Sequence, residues 1–96
     1  MLIDKGISEG DVVTLKLTSG EELIASYVEE TDNYYKLGKP RVLVQTQKGL
    51  GMGPYIITVD PDRRIKVYKS TVVLCEPTDD VTSKEYTSLT SNIALV

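Results

Sequence analysis

Between Asp11 and Thr18 apolar and polar residues alternate with period two: Val13, Leu15 and Leu17 fall on one side, Thr14 and Lys16 on the other. That spacing predicts a β-strand buried on one face. "SGEE" follows as a turn, and Gly20 supplies the positive φ that a tight turn needs. From Glu22 to Glu30 a second strand sets Leu23, Ala25 and Tyr27 on one face and Ile24, Ser26 and Val28 on the other, so both faces carry residues to cover. Thr31–Asn33 can bond their own backbone and make a polar corner. Tyr34–Gln47 is a third extended stretch in which Gly38 and Pro40 mark a bulge or an edge. "GLGMG" (Gly49–Gly53) predicts a flexible hairpin tip. Pro54–Pro77 is extended again, with "VDPDRR" either kinking one long strand or turning a small hairpin, and Ser70–Glu76 as the last strand.

Both ends are expected to be helical. Met1–Gly10 suits a short helical turn. The stretch after Pro77 offers Thr78 or Asp80 as a cap and aligns Val81, Glu85 and Leu89 at i, i+4 and i+8. About five short strands with regular turns predict an all-β domain with short terminal helices, a small, strongly bent antiparallel barrel. Its divisions are a helical turn at 1–10, the barrel at 11–77 and a helix or tail at 78–96, all within one domain. A barrel this small must close on itself or pair its edges with a neighbour, because an open edge strand invites association.

Composition narrows the chemistry. The 96 residues include no His and one Cys, so neither a Cys/His zinc site nor a Ser–His or Cys–His pair can be assembled within one chain. The carboxylate pairs Glu21–Glu22, Glu29–Glu30 and Asp79–Asp80 stand at turns and element ends, where solvated surface is their ordinary role. "GLGMG" lacks the strand-loop-helix setting and Lys-Ser/Thr ending of a phosphate loop. The expectation is a non-enzyme without metal or cofactor. No apolar run approaches a membrane span, "MLIDKGISEGD" lacks the basic-then-apolar order of a signal peptide, and lone Cys75 suits a reducing compartment; the cytoplasm is expected.

Leu15–Leu37 resembles the first signature of the Sm-like (LSm) family. "VTLKLTSGEELIA" supplies Val13, Leu15, Leu17, Gly20 and Leu23, with Ala25 in place of a strand glycine, and Asp32 fits the corner Asp one residue late. "IKVYKSTVVLC" resembles the second signature through Ile65 and Val67, the polar pair Ser70–Thr71, and Val72–Leu74. The departures look most like the divergent members carried by bacteriophages of the cyanophage type. The resemblance implies an SH3-like barrel of five strands and a homo-oligomeric ring, between a pentamer and a heptamer. It also implies single-stranded RNA as ligand in RNA regulation or turnover, and the host cytoplasm as location if the chain is phage-encoded. Gly20 and Asp32 become the structural corner. Tyr34 takes the base-stacking position, Lys36 replaces the base-reading Asn, and Tyr68 with Lys69 replaces Arg-Gly. Two tyrosines sandwiching a base, with Lys36 and Lys69 on phosphates, would bind without reading a uracil edge.

Charge bears on the same choice. Residues 33–75 hold eight cations against two carboxylates, a net +6, while the rest holds three cations against twelve carboxylates, a net −9. That segregation suits an electrostatic footprint for nucleic acid within a chain of net charge −3. It suits equally well cations that pair with carboxylates of a neighbouring copy. Burial of Tyr34 and Tyr68 at an interface is the corresponding alternative to base stacking. The second functional class is therefore a ring-forming interaction or phage assembly module that has lost its RNA site and docks partners on a face or on "QKGLGMG".

Overall fold

The computed structural model describes residues 6–91, and the period-two pattern sets its architecture. In chain order it contains β1 (Val12–Leu17), β2 (Glu22–Glu30), β3 (Tyr34–Thr46), β4 (Gly49–Pro54), β5 (Ile65–Tyr68), a 3-10 helix (Lys69–Thr71), β6 (Val72–Pro77) and α1 (Asp80–Thr90). The strands form one antiparallel sheet in the order β4-β3-β2-β1-β6, and β5 pairs with β3. The fold is thus mostly β, with one short helix at the C-terminal end of the described chain.

Alternation became burial where it was cleanest. Val13, Leu15 and Leu17 of β1 and Leu23, Ala25 and Tyr27 of β2 are buried together, joined by Leu37 of β3 and Val67 of β5. Tyr35, Val42, Tyr55, Ile65, Val72 and Cys75 pack against them from the margins. One face of a single sheet can enclose such a cluster only by curling around it. Register shifts supply the curl, since a bulge bends its strand and increases its twist. They fall between Ile24 and Ser26, between Tyr27 and Glu29, and between Lys16 and Leu17.

The long β3 carries β2 on one flank, while β5 and β4 share the other in succession: β5 lies opposite Tyr34–Leu37 and β4 opposite Arg41–Thr46. Between those two sections lies the Gly38–Lys39 bulge, where Lys39 takes φ 47°, an unfavourable conformation for a residue with a side chain. Helix α1 clamps this point. Tyr86, only 2% exposed, donates its hydroxyl to Lys39 O at 2.7 Å and Gly38 O at 3.3 Å, and the Lys39 ammonium donates to Thr90 O at 3.2 Å. Burial pushes the Tyr86 phenol above its ordinary range. Ile24, 1% exposed, lies outside the main cluster and on the opposite face of β2 from Leu23, so both faces of β2 are covered, as its sequence required.

Several sequence expectations need correction. Residues 6–10 form no helix, and Met1–Lys5 of the expected N-terminal helical turn lie outside the described residues. "GLGMG" is not the hairpin tip: it belongs to β4, and the tip is Gln47–Lys48, with Gly49 at φ 118°. The glycines extend because Val42–Thr46 of β3 provide a ladder for them. They alternate, too, so Gly49, Gly51 and Gly53 face the same way, opposite Thr46, Val44 and Val42. "VDPDRR" is part of a loop at residues 55–64 that turns at Asp60–Arg63, where the Arg63 amide donates to Asp60 O at 2.9 Å. The expected last strand, Ser70–Glu76, is β6 and begins at Val72, because Ser70 and Thr71 lie in the 3-10 helix; with β5 before it the sheet has six strands.

Helix α1 exists, with a different cap from the expected Thr78 or Asp80. Asp79 caps it, accepting from the Thr82 amide at 2.8 Å, and these bonds hold its carboxyl below the usual range. Val81, Glu85 and Leu89 are exposed, and Tyr86 is its buried residue. The last residues of the expected tail, 92–96, lie outside the described residues. Among the described residues no helix is long and apolar enough to cross a membrane.

Candidate functional site

The pairing of β3 with β5 brings three of the four expected ligand residues onto one patch. Tyr34 lies directly opposite Tyr68, and Lys36 directly opposite Lys66. Paired residues of an antiparallel ladder share a face, and residues two apart share it as well. Tyr34, Lys36, Lys66 and Tyr68 therefore form a square on the outer surface. The intervening Tyr35, Leu37, Val67 and Ile65 point toward the core.

The two tyrosine rings meet edge to face, with centroids 5.7 Å apart and planes inclined by 65°. At that separation the rings are in direct contact, so no slot for a sandwiched base lies between them. The Lys66 ammonium sits 5.0 Å from the Tyr34 centroid, a cation–π position. Tyr34 is half-buried by these neighbours, whereas Tyr68 is 52% exposed and presents the open aromatic surface. Lys36 and Lys66, meanwhile, face each other with the same charge, an arrangement that costs stability when nothing anionic intervenes. Neither has a carboxylate within ion-pair distance among the described residues. An anion placed between them would remove that repulsion.

Lys69 lies elsewhere. Its ammonium is 2.6 Å from the Glu30 carboxylate and 5.0 Å from the centroid of Tyr35, the core-directed tyrosine. The bond to Glu30 pushes the Lys69 amine up, and the same bond, with a smaller contribution from Tyr27, holds Glu30 down. Tyr27 donates its hydroxyl to Glu30 at 3.0 Å, and burial, reinforced by this carboxylate, pushes the phenol up to about 12. These three groups satisfy one another at the rim of the core. Cys75, next to them, is pushed up to about 11, chiefly by burial, and stays a thiol at neutral pH.

At the corner, Gly20 takes φ 108° and donates its amide to Leu17 O at 2.9 Å, as a turn glycine should. Asp32 is exposed, and the bonds that make its own corner come from Thr31, whose hydroxyl accepts from the amides of Asn33 and Tyr34, both at 3.1 Å. The Asn33 carbonyl accepts the Lys69 amide at 2.8 Å and thereby joins this corner to the 3-10 helix. Sequence reasoning missed Lys66 as a site residue. Its signal was available, since Lys66 stands two positions before Tyr68 on a strand, but its meaning depends on the register with β3.

No family model and no curated protein sequence matches the chain.

Proposed function

We propose that the chain is a divergent Sm-like binding protein, not an enzyme, that assembles into a homo-oligomeric ring and holds single-stranded RNA at the β3–β5 patch. The observation that carries this is the square of two tyrosines and two unneutralised lysines. Tyr68 offers a base an aromatic face, worth about 1–3 kcal/mol per stacked base and tolerant of sequence. Lys36 and Lys66 offer a phosphate two ammonium groups whose mutual repulsion it relieves. Lys69, committed to Glu30, plays no part.

Ring assembly is supported by the two borders of the sheet. Beyond β6 on one side and β4 on the other, no further strand of the described chain is paired. Val73 and Leu74 on β6 are 63% and 44% exposed, and Leu50 on β4 is 66% exposed. Two unlike borders joined head to tail give a heterologous contact, which closes a ring when the rotation suits. The SH3-like barrel and a cytoplasmic setting belong to the same reading.

The test is a fluorescence-anisotropy titration with a short oligouridylate at two salt concentrations. Wild type binds, and affinity falls with salt through phosphate contacts. Lys36→Ala and Lys66→Ala each reduce the slope of log affinity against log salt by about 0.7. Tyr68→Ala weakens binding about tenfold or more, as loss of one stacked base requires. No binding in low salt, or equal binding by wild type and Tyr68→Ala with Lys36→Ala, would overturn the RNA site. The exposed Leu50 and Val44 on the β3–β4 hairpin favour a second reading, a ring that docks protein partners there. A stable ring without RNA affinity, whose pull-down partners disappear when residues 47–53 are replaced, would support that reading instead.

A further inference from the structure

A second feature lies away from the tyrosine patch. Where β3 leaves its bulge, a cavity of about 310 Å³ opens between that strand, the 55–64 loop and the C-terminal turn of α1. That volume is at the lower end of the range for small-ligand sites. Pro40, Pro54, Ile56 and Ile65 contribute apolar walls. Arg41 and Arg63 border it, and neither has a carboxylate within ion-pair distance among the described residues. Lys39 borders it as well, with its ammonium donating to Thr90 O. That contact offsets the partial negative charge of the helix end, which would otherwise repel an anion.

The loop is locally braced. Asp60 Oδ1 accepts the Asp62 amide at 2.9 Å and Asp60 O accepts the Arg63 amide at 2.9 Å, so Arg63 projects from a hydrogen-bonded turn. Asp60 and Asp62 also border the cavity. The three kinds of lining ask for three properties in one ligand: an anionic head for the arginines, an apolar body for the proline and isoleucine walls, and hydroxyl or amino donors for the aspartates. A plain inorganic anion satisfies only the first. An apolar molecule leaves the arginines without a partner.

We propose that this cavity binds a nucleoside phosphate, with the phosphate on Arg41 and Arg63, the base against Pro40, Pro54, Ile56 and Ile65, and ribose or base donors on Asp60 and Asp62. The site is independent of Tyr34 and Tyr68. The ligand is either a free mononucleotide or one nucleotide of a bound strand, and the experiment separates these sources.

Isotope-labelled full-length protein is titrated with the four ribonucleoside 5′-monophosphates and amide shifts are followed by NMR. A monophosphate shifts the amides of Ile56–Arg63 and Leu89–Ser91 saturably, at least tenfold more tightly than uridine or inorganic phosphate. Arg63→Glu, an exposed-loop substitution that leaves the strands intact, weakens this about tenfold or more, as loss of a charged hydrogen bond implies. Tyr68→Ala leaves it unchanged. Cavity shifts with a mononucleotide identify the free ligand. Shifts produced only by a short oligouridylate, and retained in Tyr68→Ala, identify a strand. The proposal is overturned by cavity shifts with neither probe, by shifts undiminished in Arg63→Glu or lost in Tyr68→Ala, or by an equal response to inorganic phosphate.

Discussion

Replacing Tyr86 tests whether α1 is an integral part of the domain. Its hydroxyl bonds the two bulge carbonyls at 2.7 and 3.3 Å, and its ring is 98% removed from solvent. Tyr86→Phe retains the ring and deletes the donor. Both bonds are part-buried, and the cost is that of an ordinary hydrogen bond, about 1 kcal/mol. For a domain of this size that lowers Tm by about 4–8 °C. Tyr86→Ala also removes the ring and leaves a cavity, at about 3–5 kcal/mol, a large share of the 5–15 kcal/mol that small domains possess. Urea unfolding followed by far-UV circular dichroism yields both differences. Hydrogen exchange at Lys39 and Arg41 then reports whether the bulge loosens with the helix. Equal stability of Tyr86→Phe and wild type, together with a loss below about 1 kcal/mol in Tyr86→Ala, would show that the helix does not rest on the sheet as described.

Further outcomes follow from individual contacts. Tyr27 has its phenol pushed up to about 12, so the folded state keeps a proton that the unfolded chain releases near 10; stability is full below pH 10 and falls as pH rises toward 12, and Tyr27→Phe removes this alkaline loss in pH-dependent urea melts. Glu30 is shifted in the opposite direction: its contribution is present above the ordinary carboxylate range and declines as pH falls through its depressed value, so Glu30→Gln flattens the acid limb of the same plot. The Lys69–Glu30 pair is about a third exposed on each side and screened by solvent, so Lys69→Met leaves the chemical-denaturation midpoint close to that of the wild type. Gly20→Ala, forced into φ 108°, destabilises by about 1 kcal/mol or more in that measurement, and equal stability would contradict the turn geometry.

What the sequence disclosed depended on how local the deciding interaction was. In β1 and β2 the alternating residues are their own evidence, and all six expected inward residues are buried. β4 had no such signal, because glycine disfavours strands by itself and the ladder that recruits it comes from β3. The buried residue of α1 was not legible for a related reason: Val81 and Leu89 are more apolar than Tyr86, but only Tyr86 combines a large ring with a hydroxyl that can satisfy the bulge carbonyls. At the candidate site, Tyr34, Lys36 and Tyr68 were accessible through a resemblance, whereas the pairing of Lys36 with Lys66 and the capture of Lys69 by Glu30 join residues far apart in the chain.

The glycines of β4 leave one side of that ribbon bald. Along Gly49, Gly51 and Gly53 there is only backbone, flanked by the β-branched ridge of Val42, Val44 and Thr46; a methyl group built on Gly51 would lie 3.7 Å from both Val44 and Thr46. The result is a trough one strand wide beside the Val44 and Thr46 side chains. Its contour is set by missing atoms, so even an alanine there would begin to fill it.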